Sequence, residues 1–212
     1  MDATVAPRLD PGLRIVMSDD STVAELSALQ RLWSQEQYLT LTDHCHRLIE
    51  FTDGCIEVLP MPTQRHQRIL RFLFLALVSA VRDVGGDVLF APLRLRIRDG
   101  KFREPDLLLV LDAGDPRCRD EYWLGADLVM EVVSPDDPDR DLVEKRVDYA
   151  EADIPEYWIV NPIDETVTVL VVRAGEYREH GVFRPGEHAD SPTLPGFSIS
   201  VRDTFAASWP SP

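Results

Sequence analysis

A single glutamate interrupts an apolar run. Leu128-Val129-Met130-Glu131-Val132-Val133 has the aliphatic, β-branched content of a strand, with Glu131 in its middle. A carboxylate in such a place is costly to bury unless it is paired or bound to a cation. The neighbouring segments supply candidates. Glu104-Pro105-Asp106 leads into Leu107-Leu108-Leu109-Val110-Leu111, a second apolar run with an acid at its start. Asp141-Leu142-Val143-Glu144-Lys145 has a helical pattern, and Glu156-Tyr157-Trp158-Ile159-Val160 reads as a third strand. The order is strand, strand, helix, strand, and each of the first three elements carries one charged group: Asp106, Glu131 and Lys145.

The rest of the chain fits one α/β domain with a mixed central sheet. Residues 1–21 read as a loose leader, 22–205 as the domain and 206–212 as a tail. Thr22-Val23-Ala24-Glu25 has capping-box spacing ahead of Leu26, Leu29, Leu32 and Trp33, which predicts a first helix from about Thr22 to Tyr38. Arg47–Phe51 and Cys55–Leu59 flank Asp53-Gly54, a hairpin pattern. Thr63 is placed to cap a helix through Leu70, Leu73, Leu77 and Val81. That helix is apolar nearly all round from Ile69 to Val78, which predicts packing on more than one side. Val88 to Arg98 reads as one strand with a basic face of Arg94, Arg96 and Arg98. Further strands follow at Thr166–Arg173 and Glu176–Phe183.

Two carboxylates on neighbouring strands suffice for one Mg²⁺ or Mn²⁺, because these cations take oxygen ligands and keep several waters. A bound cation of this kind polarises a phosphoryl oxygen and acidifies a coordinated water. A lysine beside that water can orient it, deprotonate it if the lysine pKa is depressed, or stabilise added negative charge. Asp141, Lys145 and Tyr149 are four apart and share one helix face. If that face looks toward Glu131, the amine reaches the acids; if it faces solvent, Asp141–Lys145 is an ordinary surface pair. Glu131 also has a structural alternative as the partner of a buried arginine, and Asp106 as a turn residue after proline. Arg94, Arg96 and Arg98, with Lys101 and Arg103 nearby, are either a solvated strand face or a set of phosphate contacts.

With these residues in hand, the chain resembles the PD-(D/E)XK nuclease superfamily and, more closely, the Uma family of restriction-endonuclease-like proteins. The resemblance rests on the Asp53-Gly54 hairpin, His66 opening a helix, Pro105-Asp106 and Glu131-Val132-Val133-Ser134-Pro135. It continues through Asp141-x3-Lys145-x3-Tyr149, Pro155–Val160 and Leu194-Pro195-Gly196. It covers about residues 22 to 205. It implies a restriction-endonuclease-like fold: a mixed central sheet flanked by helices, with an extra N-terminal helix and C-terminal strands. It further implies an endodeoxyribonuclease using Mg²⁺ or Mn²⁺ and a metal-activated water. Asp106, Glu131 and the Val132 carbonyl would be metal ligands, and Lys145 would serve the attacking water. The superfamily lysine expected two residues after the acid is Val133 here, and Lys145 takes its place. A further ligand from earlier in the chain is expected among Glu50, Glu57, His66 and Gln67.

The net charge of −15 argues against binding polyphosphates through the surface as a whole, so DNA as partner requires a local site. It leaves open a catalytically inactive binding or regulatory module of the same fold, possible as a homodimer. Three cysteines without CxxC spacing, no apolar run of membrane-spanning length and no signal-peptide pattern lead to the expectation of a cytoplasmic protein with reduced thiols.

Overall fold

The structure, a computed structural model, describes residues 14–16, 22–25, 29–45 and 47–207. The strands are β1 (Arg14–Val16), β2 (Thr22–Glu25), β3 (Ile49–Thr52), β4 (Cys55–Val58), β5 (Asp87–Phe90), β6 (Leu95–Arg98) and β7 (Lys101–Arg103). They continue with β8 (Leu107–Val110), β9 (Leu128–Val132), β10 (Glu156–Asn161), β11 (Thr166–Arg173), β12 (Glu176–Phe183), β13 (His188–Asp190) and β14 (Ser198–Ser200). The helices are α1 (Gln35–Asp43), α2 (Gln64–Val81), α3 (Lys145–Glu151) and α4 (Val201–Ala206). A π-helical turn, Arg140–Glu144, leads directly into α3.

A six-stranded sheet in the order β12-β11-β10-β9-β8-β5 forms the centre. Only β9 and β10 run parallel; the other neighbours are antiparallel. A parallel pair needs a crossover connection, and here the π turn and α3 supply it. Period-two alternation sorts the central strands. Leu107, Leu109, Leu128, Met130 and Trp158 pack against α2, while Leu108, Val110, Val129, Val133 and Tyr157 pack on the α3 side. A second, antiparallel sheet of β4-β3-β7-β6 closes over a smaller core with Tyr38 stacked on Phe51. β1 and β2 form a ribbon, as do β13 and β14.

Several sequence expectations hold. Asp53 and Gly54 both have positive φ in a two-residue loop between β3 and β4, as a type I′ hairpin requires. Thr63 caps α2 by accepting the His66 N–H at 3.2 Å. α2 packs on more than one side, as expected: Ile69, Leu70, Leu73, Leu77 and Val81 are buried, and Phe72, Phe74, Ala76, Val78 and Ala80 are half-buried against the core. From Ile69 onward only a narrow stripe of Arg71, Leu75 and Ser79 is left exposed. Phe74 meets Phe90 edge-on and Leu75 is 60% exposed.

Others are corrected. The predicted helix Thr22–Tyr38 is not formed. Thr22–Glu25 is strand, and the working capping box lies at Ser34 and Gln37, whose side chains and main-chain N–H groups bond reciprocally at 3.1 and 2.8 Å. Of the intervening chain, the described residues 29–33 make one turn of their own, from Leu32 N–H to Leu29 O, and otherwise bond to the hairpin: the Gln30 amide pairs with both main-chain groups of Ile56, and Trp33 N–H donates to Gly54 O. Val88–Arg98 is not one strand. β5 pairs with β8 and β6 pairs with β7, and Pro92, which has no N–H, ends the first ladder before the second sheet begins. Of the proposed leader, Arg14–Val16 is strand and residues 1–13 and 17–21 lie outside the described residues, as does 208–212 of the proposed tail. Among the described residues no helix is long and apolar enough to cross a membrane.

The asymmetry of α2 is open to direct measurement. Leu73→Ala, at a fully buried site, is expected to cost about 2–5 kcal/mol in urea denaturation. Leu75→Ala, two residues on, is expected to stay within roughly 0.5 kcal/mol of the parent. Comparable losses would mean that the Leu75 stripe is packed as well.

Candidate active site

Asp106 and Glu131 come together through strand register. Leu107 is paired with Met130, so one further step of the antiparallel ladder sets Asp106 opposite Glu131. Each acid is held by the other's segment. The Val132 N–H donates to Asp106 Oδ2 at 2.8 Å, and the Asp106 N–H donates to Glu131 Oε2 at 3.3 Å. His66, at the start of α2, places Nε2 3.0 Å from Asp106 Oδ2. Glu131 is buried, on the α3 side of the sheet.

The helix face carrying Asp141, Lys145 and Tyr149 looks toward the sheet. Lys145 Nζ is 2.8 Å from Glu131 Oε1, 3.2 Å from Asp141 Oδ1 and 3.8 Å from Glu50 Oε1. The Tyr149 hydroxyl donates a short hydrogen bond to the same Glu131 Oε1. Asp141 is fixed in turn, as its main-chain oxygen accepts from the Tyr157 hydroxyl at 2.8 Å. Glu131 is therefore one member of a fully buried polar cluster, which satisfies the rule that an interior charge must be paired.

Burial opposes charge on Lys145, but Glu131, Asp141, Glu50 and Asp106 outweigh it and push the lysine pKa up. The amine is thus an ammonium, and the expected alternative of a depressed-pKa lysine acting as base is corrected. Burial raises Glu131 well above the usual carboxylate range, with Lys145 offsetting only part of it, and Asp141 is raised for the same reason. Asp106 goes the other way: burial would raise it, yet the His66 hydrogen bond and charge, Lys145 and the Val132 N–H hold it down. His66 is raised because Asp106 overcomes its desolvation.

These acids line a cleft of about 330 Å³. Lys145, His66, Arg140 and Arg65 line it as well, together with the apolar residues Leu59, Pro60, Met61, Pro62, Pro135, Pro162 and Ile163. Glu50 and Glu104 sit buried behind and beside the acids. Among the described residues no three His, Cys, Asp or Glu side chains converge as a metal cage. The donors that fit a divalent cation are the two carboxylates on adjacent strands. Asp106 Oδ1 takes no hydrogen bond among the described residues, and Glu131 Oε2 takes only the long one from Asp106 N–H. The acids at the cleft also outnumber Lys145, His66, Arg140 and Arg65, which suits an added cation.

The other expected residues are distributed unevenly. Val132 lines the cleft through β9, and Glu57 stands at its mouth in a short ion pair with Arg140. Gln67 is exposed and lines a neighbouring cavity instead. Arg94, Arg96, Arg98, Lys101 and Arg103 do not line this cleft. Arg94 pairs with Asp43, Arg96 with Asp99, Arg98 with Asp53 and Glu151, and Lys101 and Arg103 with Asp148. Arg140 escaped the sequence reading because it sits in the polar run Asp136-Asp137-Pro138-Asp139-Arg140, which resembles a solvated loop. Glu104 escaped it because nothing local marks it as buried.

Comparison with known proteins bears on this arrangement. A family model, Uma2, described as "Putative restriction endonuclease", matches residues 35–202. No curated protein matches the chain. Among solved structures, one described as a putative nuclease belonging to DUF820, from Anabaena variabilis, is similar in fold with a TM-score of 0.65 at 20% identity. The match covers 81% of this chain and 98% of that one. The mixed central sheet with its flanking helices is therefore a restriction-endonuclease-like fold, as the sequence resemblance implied.

Glu104 offers a pH test of the site's electrostatics. Burial, then the nearby Glu50, raise its pKa from the usual 4.5 to about 8, against a 3.0 Å hydrogen bond from the Ile49 N–H. The unfolded chain releases this proton near 4.5 and the folded one near 8, so the stabilising contribution is complete below the lower value and is lost as pH climbs through the higher. Glu104→Gln, which mimics the protonated carboxyl, is expected to match the parent in urea denaturation at about pH 5. It is expected to be more stable by roughly 2–4 kcal/mol at about pH 9. An unchanged pH profile would show that Glu104 is ionised in the fold.

Proposed function

The chain belongs to the Uma2 family, and from that premise we propose that it is a divalent-metal-dependent endonuclease that hydrolyses phosphodiester bonds in DNA at Asp106, Glu131 and Lys145. The observation that carries this reading is the buried contact of the Lys145 amine with Glu131 at 2.8 Å, beside an Asp106 bonded to the same strand. Asp106 and Glu131, with the Val132 carbonyl, would hold one Mg²⁺ or Mn²⁺. Bound there, the cation supplies polarisation of a phosphoryl oxygen and acidification of a coordinated water. Lys145, held as an ammonium, orients the attacking water and faces the negative charge that develops on the phosphoryl group during in-line displacement. His66 and the Val132 N–H fix one oxygen of Asp106 and leave the other free to bind. Tyr149 fixes the Glu131 carboxylate on the opposite side.

A second reading, a catalytically inactive nuclease-fold binding or regulatory module, draws support from the charge of −15 and from the expected basic residues being engaged in ion pairs elsewhere. The two readings separate in one experiment. Single-stranded and supercoiled duplex DNA are incubated with Mg²⁺ or Mn²⁺ and with wild type, Asp106→Asn, Glu131→Gln or Lys145→Ala, each first shown to be folded by circular dichroism. The nuclease reading expects wild type to cleave, chelation to stop it, and each substitution to lower the rate by roughly 100-fold or more. Equal cleavage by all four proteins removes these residues from the chemistry. Absence of cleavage by wild type, together with no calorimetric Mn²⁺ binding that depends on Asp106 and Glu131, favours the inactive module.

A further inference from the structure

Among the residues lining the cleft, Arg140 carries a buried donor, Nη1, without a hydrogen-bond partner among the described residues. Native structures leave few such groups unpaired, because a buried donor without an acceptor loses its hydration with no bond in return. The Arg140 guanidinium is anchored at one end only. Its Nη2 is paired with Glu57 at the mouth, while the acid nearest Nη1, Glu50 Oε2, is 3.6 Å away and too far for a hydrogen bond. A fixed fork with a free donor is the geometry that accepts a phosphate oxygen.

The entrance to the cleft narrows the class of phosphate further. Met61 and Ile163, both lining the cleft, are 65% and 57% exposed, beside prolines that add rigid apolar faces. An exposed apolar patch of this kind commonly marks a binding site. Of the charged residues lining the cleft, Arg65, Asp136 and Asp137 carry no ion pair among the described residues, and the acids outnumber the cation. A duplex gains affinity from many phosphate contacts along its length, and among the described cleft-lining residues Arg65 is the one cation without an ion pair. The side chains of Asp106 and Glu131 are only 15% and 3% exposed, so the scissile group must enter the cleft to meet them. A volume of about 330 Å³ lies at the small end of ligand pockets, on the scale of one nucleotide.

Resting on the nuclease reading, the geometry points to an unpaired nucleotide of single-stranded DNA as the ligand of this cleft. Arg140 Nη1 takes its phosphate, and its base and sugar lie against Met61 and Ile163. An intact duplex can present a nucleotide this way only by extruding it, at a cost of a few kcal/mol.

Fluorescence anisotropy with Ca²⁺ in place of Mg²⁺ tests this without turnover. One labelled oligonucleotide is titrated as a single strand and as a blunt duplex with wild type, Arg140→Gln and Met61→Glu. Met61 is exposed, so its replacement leaves the fold intact, and a urea melt checks the Arg140 variant. The single strand is expected to bind at least roughly tenfold more tightly than the duplex. Both substitutions are expected to reduce that affinity several-fold, and the slope of log affinity against log salt is expected to be shallow, about −1. Equal or tighter duplex binding, no measurable single-strand binding, or full affinity in both variants overturns the inference. Because binding is read apart from hydrolysis, selective single-strand binding by a protein that cleaves nothing would leave this inference standing while the nuclease reading fell.

Discussion

The contact between the Lys145 ammonium and the Glu131 carboxylate is the constraint on which the rest of the structure depends. Both side chains are almost entirely withdrawn from water. Taking such a pair out of water costs several kcal/mol per ion, and the attraction offsets that only when further hydrogen bonds satisfy what remains. Tyr149, Asp141 and the Asp106 N–H supply those bonds, and they come from α3, the π turn and the residue that precedes β8. The parallel pairing of β9 with β10 follows from the same requirement. A crossover helix must return over the α3 face of the sheet for its lysine to meet an acid placed in mid-strand, and only a parallel neighbour requires that crossover.

A second tier of buried charge holds α3 at the correct height. Asp148, one turn along from Lys145, accepts from Lys101 and Arg103 of β7, and Arg103 also approaches Glu50 at 3.5 Å. Glu50 then lies 3.8 Å from Lys145 itself. The small antiparallel sheet is thus tied to α3 through alternating charges. The basic residues of β6 and β7 are spent on the protein's own acids, which is an expected fate for cations in a chain carrying a net −15. Their regular alternation with Leu95 and Ile97 made them look like a strand face turned to water or phosphate. The partners that decide between those readings, Asp43, Asp53, Asp148 and Glu151, come from segments distant in sequence.

What was legible in the sequence is what local chemistry determines. A glutamate inside an aliphatic strand, an acid at the head of the next apolar run, and three residues at a spacing of four each state a constraint that only a few folds meet, and the fold meets them together. The Asp53-Gly54 turn and the Thr63 cap were legible for the same reason. The first helix was not, because Thr22-x-x-Glu25 and Ser34-x-x-Gln37 both read as capping boxes, and tertiary bonds from Gln30 and Trp33 to the hairpin decide between them. Arg140 and Glu104 were illegible because their significance lies in neighbours more than forty residues away.

The π turn explains why the two cationic ends of the cleft act on one place. In an α-helix, residues five apart are turned about 140° from each other around the axis. In the π turn from Arg140 to Glu144, the Lys145 N–H bonds to the Arg140 carbonyl, five residues back, and brings the two onto the same side. Both side chains then approach Glu50, at 3.6 and 3.8 Å. A regular helix would keep Lys145 over Glu131 but swing Arg140 away from the mouth. The inserted residue is therefore what allows the Lys145 amine and the Arg140 guanidinium to share one buried counter-ion. The spacing between them is set by the backbone and not by flexible side chains.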